Sequence, residues 1–163
     1  MKKEDIVARE GKLFYSVCDP EQEPVLTILR THLLTEHYLE RIIALVLSRG
    51  DRVLSGGNLT YAQKVSLVES FDLLEDSLVQ SLKNLNKVRN ECAHEIHKTI
   101  TLSEVESIGR PFGKRFTPNR REYADDVPKL LHYTLMMACA GMAGHIMTLE
   151  EEQLEKEESS DEG

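Results

Sequence analysis

Leu78-Val79-Gln80-Ser81-Leu82-Lys83-Asn84-Leu85-Asn86-Lys87-Val88-Arg89-Asn90-Glu91-Cys92-Ala93-His94-Glu95-Ile96 carries the pattern from which the fold is read. Leu78, Leu82, Leu85, Val88, Cys92 and Ile96 return every three or four residues, the rhythm of a helix that buries one side. Lys83, Lys87 and Asn90 fall on the other side. The same stretch ends in an arginine, an asparagine and a histidine, three side chains that can bind phosphate or move a proton.

Working outward, Thr60 with Gln63 forms a capping-box start for the helix upstream, whose apolar positions include Ala62, Val65, Val68 and Phe71. Pro24 suits the first position of an earlier, longer helix, which keeps its rhythm through Leu26, Leu29, Leu33, Tyr38, Ile42, Ile43 and Val46 up to Gly50. Arg49-Gly50-Asp51 and Ser55-Gly56-Gly57-Asn58 break the chain between the two. Downstream, Ser103 with Glu106 predicts a second capping box and a short helix before Gly109. Pro128 then opens the last long helix through Leu131, Leu135, Met142 and Ile146. No stretch alternates like a strand, so the expected class is all-α: an up-and-down bundle of four to five helices. Ala138, Ala140, Gly141, Ala143 and Gly144 would let the last helix approach a neighbour closely, within the chain or in a dimer.

Three regions are expected: an N-terminal arm over 1–23, a helical bundle over 24–149 and a disordered acidic tail over 150–163. The tail holds eight acidic residues and one lysine, so it accounts for nearly all of the net charge of -8. That average therefore does not exclude RNA as a partner, and the tail could fold back on a basic loop. Cys18, Cys92 and Cys139 are an odd, scattered set that reads as reduced thiols. The N-terminus leads into no apolar signal region, and the run from Tyr133 to Gly144 is shorter than the roughly 20 residues of a membrane helix. A cytoplasmic protein with no membrane partner is expected.

Arg89, Asn90 and His94 are the compact set of candidate catalytic groups. On an ideal helix Arg89 lies near the centre of the apolar face, and His94 diverges from it by about 140°. Three readings follow. Arg89 is a core-edge arginine neutralised by Glu36, Glu40 or Glu69, with His94 on the surface; or the helix bends near Ala93 so that both reach one cleft; or two chains pair and share a site.

Arg89-Asn90-Glu91-Cys92-Ala93-His94 resembles the Arg-polar-x-x-x-His signature of the HEPN superfamily. The stretches Leu59 to Val65, Leu82 to His94 and Leu34 to Arg41 are similar to its mannitol operon repressor branch and to related uncharacterised HEPN-like domains. The resemblance spans about Pro24 to Gly113 and implies a HEPN-like bundle that forms homodimers. It also implies two functions of different class. One is a non-catalytic regulator that works through protein contacts in control of transcription or sugar uptake. The other is a metal-independent endoribonuclease of toxin or antiviral type, an enzyme in which His94 moves a proton during attack of a ribose 2′-hydroxyl. Arg89 would then stabilise the phosphorane-like charge, and Asn90 would orient groups or bind phosphate.

Arg110, Lys114, Arg115, Arg120 and Arg121 stand in an acid-free segment with Phe112 and Phe116 interleaved, a composition suited to RNA phosphates and bases. The plainer reading of the two phenylalanines is that they anchor the loop to the core. Cys92, His94 and His97 lack a second ligand cluster, so no metal is expected, and no cofactor motif stands elsewhere. No helix pair has the short turn and basic second helix of a helix-turn-helix, so direct DNA binding is not expected.

Overall fold

Pro24 and Glu23 start the helix that organises the molecule. The Glu23 carboxylate accepts from the backbone N–H groups of Val25 (3.1 Å) and Leu26 (3.0 Å), which satisfies two donors that the first turn leaves open. In a computed structural model, residues 3–19 and 21–161 are described, with side chains over 8–19 and 21–156. The helices are α1 (Lys3–Val17), α2 (Pro24–Val46), α3 (Gly50–Gly57), α4 (Tyr61–Ser70), α5 (Asp76–His94), α6 (Leu102–Gly109), α7 (Thr117–Glu122) and α8 (Val127–Asp161). A 3₁₀ helix over Arg110–Arg115 joins α6 to α7. The described residues contain no strand, and the class is all-α.

The helix α2 packs against α8, α5, α4, α3 and α1. Its core positions Ile28, Tyr38, Leu39 and Ile42 are fully buried and meet Leu82 and Leu85 of α5 and Leu130 and Leu135 of α8 in one cluster. The expected N-terminal arm is a helix over most of its length. Phe14 from its last turns and Cys18 just beyond it enter that same core.

The chain between α2 and α4 departs from the expected break, because α3 is an eight-residue helix. It turns immediately out of α2: a Cβ at Gly50 would lie 2.4 Å from the Ile43 carbonyl oxygen, so only glycine permits the approach. At its other end Asn58 adopts the left-handed conformation (φ 42°) that terminates a helix. The Thr60 capping box forms as the sequence predicts: Thr60 N–H donates to Gln63 Oε1 (2.9 Å) and Gln63 N–H to Thr60 Oγ1 (3.3 Å).

The second capping box is displaced by two residues. Thr101 and Glu104 make it, not Ser103 and Glu106: Thr101 N–H donates to Glu104 Oε2 at 2.7 Å. Glu106 is held instead by the guanidinium groups of Arg110 and Arg120. The α5 rhythm also stops earlier than its apolar spacing predicts. The helix ends at His94, and Ile96, counted above as part of the buried face, is 95% exposed.

Nor does the chain become irregular at residue 150. The last helix continues to Asp161, a correction to the disordered tail that composition predicts. Arg41 neutralises Glu150 (2.6 Å), Arg9 adds a longer contact (3.5 Å), and Gln153 Nε2 donates to the Leu45 carbonyl (2.8 Å). That carbonyl lies in the last turn of α2, where it has no partner within its own helix. These contacts bring the start of the acidic segment onto α1 and α2 and not onto the basic segment. By length and composition α8 could cross a membrane, and 56% of its most apolar window is buried inside the fold.

Candidate functional site

Leu78, Leu82, Leu85 and Val88 fix the buried face of α5. Arg89 shares the phase of Leu78 and Leu82 but is only partly buried, and its Nη1 donates to Asn90 Oδ1 (3.2 Å). The three carboxylates expected to neutralise it serve other cations. Lys64 Nζ binds both Glu36 (2.8 Å) and Glu40 (2.6 Å), and Lys83 takes Glu69 (2.7 Å). Glu36 and Glu40 stand one turn apart on α2, and α4 delivers Lys64 between them. Among the described residues Arg89 therefore has no carboxylate partner.

Opposite Arg89, α2 turns polar inside its own core face: Thr27, Thr31, His32 and Thr35 are all buried. The His32 ring stacks on Tyr61 (centroids 3.9 Å apart), and its Nε2 lies 3.0 Å from Asn86 Oδ1. Burial first, and then the positive charges of Arg89 and Lys64, hold His32 below the ordinary histidine range, against the Asn86 hydrogen bond and Glu36. The imidazole is neutral near pH 7, with Nε2–H as the donor to Asn86. Thr35 Oγ1 closes the cluster at 2.9 Å from the Tyr61 hydroxyl. The sequence reading left His32 as a helix-boundary residue. Its signal was the recurrence of Thr27, Thr31 or His32, and Thr35 on the same side as Ile28 and Leu39.

His94 stands in a different place. It is exposed at the last position of α5, in an open groove of about 400 Å³ lined by Glu23, Val25, Cys92, Ala93, Glu95, Ile96 and Lys98. Arg89 does not line this groove, and α5 runs to His94 without interruption, so the bend near Ala93 that would bring both side chains to one cleft is not found. The groove is acidic. Its one lysine, Lys98, is bound by Glu104 (2.5 Å), with Glu91 (3.5 Å) and Glu95 (3.9 Å) close by. Burial works to raise the Glu104 carboxyl, but hydrogen bonds from Lys98 and Thr101 outweigh it and bring it down to about 2. Burial also raises the Cys92 thiol, and Glu104, Glu23 and Glu91 add to that effect against Lys98. Cys92 is thus a protonated thiol and not an activated nucleophile.

The basic segment is neutralised only in part, by two carboxylates against five cations. Arg110 and Arg120 share Glu106, and Arg115 binds Glu75 (2.8 Å) and the Ser77 hydroxyl (3.2 Å). Lys114 and Arg121 have no carboxylate partner among the described residues. Phe112 and Phe116 are buried at 7% and 4% exposure, so neither ring offers a stacking surface to a base. Among the described residues no group of three or more His, Cys, Asp and Glu side chains is placed to hold a metal ion.

No family model, curated protein or solved structure matches this chain.

Proposed function

We propose that this is a regulatory protein resembling the mannitol operon repressor branch of the HEPN superfamily, a homodimer that acts through protein contacts in transcriptional or metabolic control. The observation that supports this reading most directly is the setting of His94. A histidine that cleaves RNA must meet a phosphate, and this one lies among Glu23, Glu95 and a lysine already held by three carboxylates. Such a groove repels a polyanion. The partner of such a protein is another protein, in the cytoplasm.

An endoribonuclease is the second reading, and Arg89 favours it. Its guanidinium is free of carboxylates and accessible, so a second chain that brought Arg89 to its partner's His94 would assemble both groups around one phosphate. The two readings separate in one experiment. Structured and single-stranded RNA are incubated in chelator with wild type, His94→Ala and Arg89→Ala, while sedimentation reports the assembly state. The regulatory reading expects folded dimers and intact RNA in all three samples. Cleavage by wild type that disappears in His94→Ala overturns it.

A further inference from the structure

The groove at the end of α5 has four properties that together specify what would fill it. The first is charge. Glu91, Glu95 and Glu104 surround the single ammonium of Lys98, and Glu95 and the α2-capping Glu23 line the groove directly. The second is the helix end itself. The last carbonyls of α5 have no partner within the helix and carry the negative end of its dipole, and Glu95 leaves the helix in an extended conformation.

Ile96 is the third property. Lys98 N–H bonds back to the Glu95 carbonyl (3.3 Å), so Ile96 occupies the tip of a tight turn. Glycine, proline, asparagine, aspartate and serine dominate such positions, so turn chemistry does not call for an isoleucine here. Nor does the core select it, because it is 95% exposed. Beside it Val25 adds a second apolar group to the groove wall. The fourth property is volume: about 400 Å³ is enough to enclose one or two side chains, and it is open on one side.

We propose that this groove receives a segment of a partner protein in which an arginine or lysine stands beside an aliphatic or aromatic side chain. The cation meets Glu95, Glu23 and the carbonyl end of α5. The apolar neighbour covers Ile96 and Val25. This deepens the regulatory reading above, on which it rests, by naming the chemistry of the partner. A nucleic acid is disfavoured by the same charges that attract the basic side chain.

The test uses the full chain, labelled, on an array of synthetic dodecapeptides in four classes: basic with apolar residues, basic with polar residues, acidic with apolar residues, and neutral. The best binders are then titrated in solution by fluorescence anisotropy. Glu95→Lys and Ile96→Asp alter exposed side chains and leave the core intact, and Tyr15→Ser, on the exposed side of α1, is the control. Enrichment of the basic-apolar class is expected, with each groove substitution weakening those peptides by about tenfold and Tyr15→Ser leaving them unchanged. Enrichment of another class, binding indifferent to both groove variants, or no binding on the whole array overturns the proposal. A change of assembly state in Glu95→Lys or Ile96→Asp overturns it too, because the groove would then be covered by a second copy. So does competition by RNA that depends on Glu95→Lys in the same way as the peptides. The RNA cleavage assay is independent of these results. Intact RNA without peptide binding removes this partner and leaves the regulatory reading standing, whereas RNA cleavage removes the regulatory reading whatever the peptides do.

Discussion

Arg89 and His94 are five residues apart on one helix and belong to opposite environments. Arg89 is half-buried beside a buried polar cluster, in which His32 pairs with Asn86 and stacks on Tyr61, and Tyr61 pairs with Thr35. His94 faces water in an acidic groove in which Glu23 and Glu95 are exposed. The first setting is built by packing between α2, α4 and α5. The second is built where α5 stops. A motif that reads as one unit along the chain is thus divided by the helix into a structural half and a surface half, and the two halves should respond differently to substitution.

The largest difference is expected between the inner face of α5 and the turn beyond it. Leu85 is fully buried, so Leu85→Ala loses its transfer energy and leaves a cavity, at a cost of about 2–5 kcal/mol. Ile96→Ala should change stability by less than about 0.5 kcal/mol, since water already surrounds that side chain. Urea unfolding of both variants measures the contrast. A loss at residue 96 comparable to that at residue 85 would mean that the fold covers the turn, and the division would break.

A smaller effect sharpens the polar half. Asn86→Ala leaves the His32 Nε2–H without its acceptor in a buried site, at a cost of about 1–3 kcal/mol. It also changes the response to acid. Burial holds His32 below the ordinary histidine range, so the unfolded chain takes up a proton that the folded chain does not. That contribution to stability is complete above the ordinary pKa and is lost as pH falls, from about pH 7 towards pH 5. His132 and His145, also lowered by burial, act in the same direction. The Asn86 hydrogen bond opposes the depression of His32, so removing it should enlarge the loss between those two pH values. Unfolding curves at both pH values, for wild type and Asn86→Ala, report the change. An equal or smaller loss in the variant would contradict the assignment of Asn86 as the histidine's acceptor.

The division itself was partly legible in the chain. Local rules placed α2, α4, α5 and the start of α8, because the apolar period, Pro24, Pro128 and the Thr60 box all act within a few residues. The same 100° step set Arg89 and His94 on different sides of α5. What the period could not supply was the identity of neighbours. Glu36 and Glu40 were in reach of Arg89 on paper, but Lys64 arrives from α4 and takes both. The acidic groove draws Glu23, Glu95 and Glu104 from three separate parts of the chain, and no local pattern announces such a gathering. The tail failed for a related reason. Its composition favours solvation, yet Arg41 and the open Leu45 carbonyl lie more than a hundred residues upstream and hold the helix at Glu150 and Gln153.

The displaced capping box gives the finest test, because it compares two hydroxyls two residues apart that the local pattern treats alike. Thr101 Oγ1 accepts from Glu104 N–H at 3.3 Å, and its own N–H and hydroxyl bind Glu104 Oε2 at 2.7 Å. The remaining Glu104 oxygen holds Lys98, so the box that starts α6 also positions the cation of the groove. A start at Ser103 would leave Leu102 outside the helix and draw Glu106 from Arg110 and Arg120, which bind it from the following segment. Thr101→Ala should therefore cost about 1 kcal/mol and loosen Lys98, while Ser103→Ala should be close to neutral. Thermal unfolding measures the first difference, and amide exchange at Lys98 measures the second. Equal costs at the two positions would return the helix start to Ser103 and detach the groove from α6. A cost confined to Thr101 would show that the surface half of the motif, although exposed, is shaped by a helix that begins after it.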